Sequence, residues 1–399
     1  MADAPRLTKF WMGIVTSRIE GKKKVLHIIT GLNNGGAEGV LYRLCSKDTK
    51  HRHFVISLTD KGKYGSLLEQ VGINVCCLNI SKSRVTLNGL IKLRHLLREF
   101  KPDIVQTWMY HADLIGGVLA RLSGIRNICW GIRHTNLEPG KSKRSTILIA
   151  RTCARLSKWA PQCIICCANK AAEVHGALGY DASKLVVIPN GYDLSVFKPY
   201  PEDGLRLRQE LNLPTTLPLI GMVARFDPQK DHAGLIKALK HLAMMGVDFR
   251  CILVGTGMEE SNTDLRSWIE SAGLSEHIHL LGPRNDISKV MNALDIHILS
   301  SEGGEAFPNV LAEAMACETP CVTTDVGDAA SIVGDTGWVV PPGQPEMLAN
   351  AIIRALQERL DETAWSARCA AARSRIAENF SVDTMVRAYG QVWQKLLKS

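Results

Sequence analysis

The chain has 399 residues, 46% of them hydrophobic and 22% charged, a balance that excludes a disordered polymer. A single core seldom grows past about 250–300 residues, so two domains are expected. No run approaches the roughly 20 apolar residues that cross a bilayer, and the apolar stretch 10–15 is too short, and lacks the cleavage site, for a signal peptide. The net charge of +9 is unevenly spread. Residues 1–195 hold 29 Lys and Arg against 13 Asp and Glu, whereas residues 196–399 hold 19 against 26. The basic half is expected to seek an anionic surface: a membrane leaflet, nucleic acid or an anionic substrate.

Residues 1–23, ending in a lysine cluster, read as a loosely ordered extension. Short apolar runs then predict strands at 25–29, 54–58, 73–78, 104–107, 128–131, 164–167 and 185–188. Amphipathic stretches lie between them. In 87–100, Leu90, Ile91, Leu93, Leu97 and Phe100 keep helical spacing, and Pro102 marks the stop. This alternation predicts a parallel sheet covered by helices. The twelve cysteines sit mostly inside these apolar runs, so buried reduced thiols are expected. Cys163 and Cys166 have no second ligand pair at metal-site spacing, so zinc is not expected.

Residues 189–218 crowd together Pro189, Gly191, Pro199, Pro201, Gly204, Pro214 and Pro218, which predicts an interdomain linker, with 196–214 as its centre. Strands resume at 219–223, 251–254, 278–281, 296–299, 321–324 and 338–340. The fold class is therefore α/β: two Rossmann-like, doubly wound domains, 24–195 and 215–379, facing each other across a cleft. Ligands bind such sheets beyond the carboxyl ends of the strands, so the chemistry is expected in the loops there.

The loop after the first strand, Gly31 to Gly39, contains Gly35 and Gly36 at the start of a helix. Paired glycines admit a ligand to the backbone, and a helix start favours anions. The spacing does not fit the dinucleotide fingerprint, and the bland alternative is a packing turn. After 296–299 comes Ser300-Ser301-Glu302-Gly303-Gly304-Glu305-Ala306-Phe307-Pro308-Asn309-Val310, with Pro308 placed to open a helix. The amides of Ala306, Phe307, Pro308's successor Asn309 and Val310 can hold a diphosphate there without a metal. Glu305 and, about two turns into the helix, Glu313 read either as sugar or ribose hydroxyl acceptors or as solvated surface acids. Arg225 and Lys230 follow 219–223 and can offset charge on a leaving diphosphate, with Asp231 capping the next helix. His134, in a loop after 128–131, faces the expected cleft, while His111 reads as structural. Lys141, Lys143, Arg144, Arg151, Arg155 and Lys158 surround Ile147, Leu148, Ile149, Leu156 and Trp159, a basic amphipathic stretch suited to an anionic membrane surface or simply to solvent. Nucleic-acid binding would bring interleaved aromatics, and Tyr and Phe are sparse in this half, so nucleic acid is not an expected partner.

Taken in order, these segments resemble the retaining family-4 glycosyltransferases of the GT-B fold, of the type that builds bacterial cell-surface polysaccharides and lipid-linked saccharides. The resemblance is carried by Val25 to Ile29 with Gly35-Gly36-Ala37-Glu38, by Val187-Ile188-Pro189-Asn190-Gly191, by Val223-Ala224-Arg225-Phe226 with Lys230, and by Glu305 to Ala316 with seven residues between Glu305 and Glu313. It implies that Gly35 and Gly36 approach the donor diphosphate or the acceptor, that His134 lines the reaction centre, and that Arg225 and Lys230 hold the diphosphate. It further implies that Asn190 belongs to the site, that Glu305 contacts the donor sugar, that Glu313 holds the ribose, and that Arg284 lies in the loop receiving the base. The segment 380–399 resembles a helix crossing back to the first domain. Ala306 and Glu318 depart from small glycines common in the family, and Gly303-Gly304 leaves Glu302 as a rival to Glu305.

The implied reaction moves a sugar from a UDP- or GDP-sugar to a hydroxyl of a saccharide acceptor, lipid-linked, with retention by front-face attack. No cofactor is expected; the nucleotide sugar is a substrate. The chain has no D-x-D motif, which fits a metal-independent site. The expected location is cytoplasmic, peripheral on the inner face of the membrane. The rival readings are a sugar-nucleotide epimerase of the same fold and a nucleotide-binding scaffold without turnover.

Overall fold

A computed structural model describes residues 21–80, 86–137 and 142–398. The apolar stretch 10–15, most of the expected N-terminal extension and Lys141 lie outside the described residues.

The described residues build two parallel sheets. The first contains β1 (Lys24–Ile29), β2 (Arg52–Ser57), β3 (Asn74–Cys77), β4 (Ile104–Trp108), β5 (Ile128–Ile132), β6 (Cys163–Cys166) and β7 (Leu185–Val187), ordered β3-β2-β1-β4-β5-β6-β7. The second contains β8 (Leu219–Val223), β9 (Arg250–Val254), β10 (Ile278–Leu280), β11 (Ile296–Leu299), β12 (Cys321–Thr324) and β13 (Trp338–Val340), ordered β10-β9-β8-β11-β12-β13. Every residue of β4, β5, β6, β8, β11 and β12 is buried. Helices cover both faces of a parallel sheet, so these strands are mostly apolar, and the polar residues they carry, Gln106, Thr107, His297, Thr323 and Thr324, are buried as well. The strand order reverses between β1 and β4 and between β8 and β11, and these switch points place the two sets of ligand-binding loops.

The helix Leu87–Phe100 begins where Thr86 accepts from the Gly89 amide at 3.2 Å and ends at Lys101, whose left-handed backbone (φ 45°) precedes Pro102. The stretch 196–214, expected as a linker, carries the helix Pro201–Glu210. Pro201 presets its first turn. Arg208, buried on this helix, reaches Asp295 Oδ2 at 2.9 Å and the carbonyls of Ala293 and Leu217, so the segment is fastened to the second sheet's layer. Proline here marks a helix start rather than the lack of one.

The chain returns to the first domain through Tyr192 and Ser381, which bridge in parallel. The helix Val382–Lys398 then buries Val382, Met385, Tyr389, Trp393 and Leu396 against the first sheet. Trp393 and Tyr389 are fully buried, each contributing on the order of 3 kcal/mol. Beneath Trp393 runs a buried polar chain. Trp108 Nε1 donates to His27 Nδ1 at 3.1 Å, which leaves the His27 proton on Nε2. That nitrogen meets His53 Nδ1 at 2.9 Å, and His53 Nε2 meets Asp48 at 3.2 Å. Burial acts to raise the Asp48 carboxyl, but hydrogen bonds from His51 and His53 hold it well below the ordinary carboxylate range. Cys45, His27 and His53 lie close enough to suggest a metal cage. The tautomer set by Trp108 leaves no lone pair on His27 Nε2 for an ion, so the cluster is a hydrogen-bonded support for the C-terminal helix. The twelve cysteines are free thiols, ten of them buried.

Candidate active site

On the second domain, two loops meet beyond β8 and β11. Asp227 accepts from the Gln229 amide at 3.0 Å and closes the turn Pro228–Lys230. Asp231, left-handed at φ 47°, then caps the helix His232–Met244 through the Gly234 amide at 2.9 Å. Lys230 is thus thrust from a fixed turn. Its ammonium bonds Glu305 Oε1, which also accepts from Ser301 Oγ at 2.8 Å. The pair is largely withdrawn from water, with side chains 18% and 13% exposed. Below it, burial drives His297 down to about 3, reinforced by the Lys230 charge, so that imidazole is neutral at physiological pH. Arg225 is exposed and pairs with Asp227 at 3.0 Å. Glu302, the rival acid, is exposed, and its amide bonds Gln229 O at 2.9 Å. Gly304 takes a left-handed backbone (φ 78°) that favours glycine, and it lies against the Gln229 side chain of the other loop.

The helix Asn309–Ala316 starts one residue later than expected, with Pro308 at the N-cap. Among the described residues the amides of Asn309 and Val310 have no partner, as the first turn of a helix requires. Ala306 and Phe307 are buried, and the Phe307 ring packs against Tyr192 and Phe380, so their side chains are scaffold. Glu313 lies one turn into this helix rather than two. Burial raises its carboxyl, opposed by Arg43 of the first domain.

The first domain meets this surface at three places. Thr135 Oγ1 donates to Glu305 O at 2.6 Å. Asn190 Nδ2 donates to Asn309 Oδ1 at 3.0 Å, and the Tyr192 hydroxyl donates to the same oxygen. Asp328, following β12, caps the first-domain helix Asn169–Leu178, accepting from the amides of Asn169 at 2.7 Å and Lys170 at 2.9 Å. Gly36 faces Asn309 across the cleft, with a Cβ position 3.3 Å from its Nδ2. At Gly35 a Cβ would lie 2.4 Å from the Glu38 carboxylate, so the glycine admits that acid over the helix start. Burial raises the Glu38 carboxyl.

His134 is half-buried near this cleft, its Nε2 at 3.3 Å from Ser142 Oγ, and burial lowers its basicity. His111 is half-buried on a short helix after β4. The structure therefore brings together Lys230, Glu305, Asn309, Val310, Asn190 and Gly36. Arg284, in the loop after β10, makes a bidentate pair with Asp286 at 2.8 and 2.6 Å. Thr135, Tyr192, Asp328 and Asn169 carry no expectation from the sequence. Their one local signal is adjacency, Thr135 next to His134 and Tyr192 two places after Asn190.

A cradle of this kind, with a helix start, a lysine and hydroxyl acceptors between two Rossmann-like domains, suits transfer from a phosphorylated donor. Residues 34–196 match the model of Glycosyltransferase Family 4, and residues 205–372 match that of Glycosyl transferases group 1. An Escherichia coli UDP-Gal:alpha-D-GlcNAc-diphosphoundecaprenol alpha-1,3-galactosyltransferase is 28% identical over 313 residues, 77% of this chain and 78% of that protein. A phosphatidyl-myo-inositol mannosyltransferase of Mycobacterium leprae is 33% identical over 54% of this chain and 55% of its own. The crystal structure of an Anabaena protein, HepE, in complex with UDP superposes with a TM-score of 0.82 at 25% identity, covering 93% of this chain and all of that one. The chain belongs to the family-4 glycosyltransferases of the GT-B fold.

Proposed function

We propose that the enzyme transfers a hexosyl group from a UDP-sugar to a hydroxyl of a lipid-linked saccharide, with retention and without a divalent ion. The observation that carries this reading is the Lys230–Glu305 pair set before the unpartnered amides of Asn309 and Val310. The amides and Lys230 hold the diphosphate, with Arg225 completing the charge, and Lys230 stabilises the oxyanion as the sugar leaves. The bond from the anomeric carbon to the β-phosphate oxygen breaks, the acceptor oxygen bonds the same face, and its proton passes to the leaving phosphate. Glu305 accepts from sugar hydroxyls and Glu313 from the ribose. His134, held neutral by burial, lines the acceptor side. The choice of UDP and of a polyprenol-linked acceptor is supported by the E. coli relative's specificity and by the UDP held by the Anabaena protein.

A peripheral membrane position fits the helix Arg144–Leu156. It displays Arg144, Arg151, Arg155 and Leu148 to solvent, next to exposed Lys158 and Trp159. No helix among the described residues is long and apolar enough to cross a membrane.

The test is turnover with a panel of nucleotide sugars and a prenyl-diphosphate saccharide in excess EDTA, with the anomeric configuration of the product read by NMR. Retained configuration at full rate is expected. Inversion, or a rate that magnesium must restore, would refute the retaining and metal-free parts respectively. Isomerisation of the donor with no acceptor present would favour the epimerase.

A further inference from the structure

Arg133 follows β5 at the cleft and has no role so far. Its guanidinium lies 4.7 Å over the Trp108 ring. One terminal nitrogen donates to the Tyr389 hydroxyl of the C-terminal helix, and the other donates to Asn190 Oδ1 at 2.7 Å. Arginine can only donate. The Asn190 atom that meets it must therefore be the oxygen, and the Asn190 amide nitrogen must face the other way. That nitrogen donates across the cleft to Asn309 Oδ1 at 3.0 Å, where the Tyr192 hydroxyl also donates. Both lone pairs of that oxygen are then used, and a flipped Asn309 would set amide nitrogen against amide nitrogen. Asn309 Nδ2 is left facing Gly36, where the two helix starts approach. The donor-only character of one arginine is handed on by two carboxamides and reappears as an N–H donor inside the cleft.

We propose that Arg133 is a positioning residue for glycosyl transfer: through Asn190 it turns Asn309 so that its amide donates to a phosphate oxygen of the donor, and it does so only when the two domains are closed. The inference rests on the reading that the diphosphate sits at this helix start. Asn309 adds a side-chain donor to the backbone amides there, and its orientation comes from the opposite domain. Closure and phosphate binding are thereby coupled.

The test is steady-state kinetics on the full chain, after wild-type transfer has been established; an inactive wild type refutes the functional reading and this inference together. Arg133→Gln, which can accept as well as donate, is expected to lower kcat about 10- to 100-fold. Arg133→Lys, again donor-only, is expected to recover a large part of that loss. Asn190→Ala cuts the same series while Arg133 stays over Trp108, so it reads the link even if the Arg133 variants fold poorly. The double variant Asn190→Ala/Asn309→Ala should be no slower than Asn309→Ala, because the residues act as one unit. Wild-type kcat in both Arg133→Gln and Asn190→Ala, or a double variant whose loss is the product of the two single losses, would overturn the proposal while leaving the enzyme's function in place.

Discussion

Around the cleft, the second domain uses two short runs of sequence, 225–231 and 301–313. Each is a strand end, a tight turn and a helix start. The first domain answers with Thr135, Asn169, Asn190 and Tyr192, which come from the ends of three different strands and are neighbours only because β5, β6 and β7 pair side by side. One side is a compact cradle for charge. The other is a set of single polar groups that grip the cradle's rim at Glu305, Asn309 and Asp328. On the proposed reading the two sides divide the work: the second domain would grip the phosphate, and the first domain would complete that grip on closure.

The charge distribution divides in the same way. The acidic second half offers only a few local cations at the proposed phosphate site, whereas most cations of the basic first half are exposed.

The sharpest way to break the comparison is to disarm the cradle. Lys230→Ala is expected to reduce kcat about 10²- to 10³-fold, because it removes a preorganised charge where the leaving phosphate develops its own. Glu313→Ala is expected to act mainly on binding, with donor kcat/KM falling on the order of tenfold as a ribose hydrogen bond is lost. Both variants should keep the wild-type melting temperature within a few degrees, and wild-type kinetics in either would remove that residue's role. A smaller effect sharpens the other side. Vesicles with anionic lipid should retain the protein at low salt and release it at high salt, and Arg151→Glu/Arg155→Glu should weaken retention on the order of tenfold or more. Equal retention on neutral vesicles would place the basic face in solvent.

How much of this is legible in the sequence follows from the same contrast. The strands 219–223, 296–299, 321–324 and 338–340 match the observed β8, β11, β12 and β13, because each is a short run of mostly apolar or β-branched residues bounded by turns. The Asp231 cap is legible for a similar reason, since donor and acceptor lie three residues apart. The helix Pro201–Glu210 is not, because its stability comes from Arg208 meeting Asp295, a partner far along the chain. The cross-cleft bonds are hidden for the same cause. Nothing local to Asp328 announces that it will cap a helix of the other domain, and nothing local to Arg133 announces that it will orient an amide carried by Asn309. Local rules reach what a single loop can do, and long-range pairing decides the rest.

In the proposed mechanism the amides of Asn309 and Val310, with Lys230, grip the donor diphosphate. A crystal structure of the enzyme with UDP tests it most directly. The β-phosphate is expected within hydrogen-bonding distance of those two amides, with the Lys230 ammonium drawn from Glu305 onto a phosphate oxygen. A diphosphate bound elsewhere, with the Lys230–Glu305 pair undisturbed, would contradict the account.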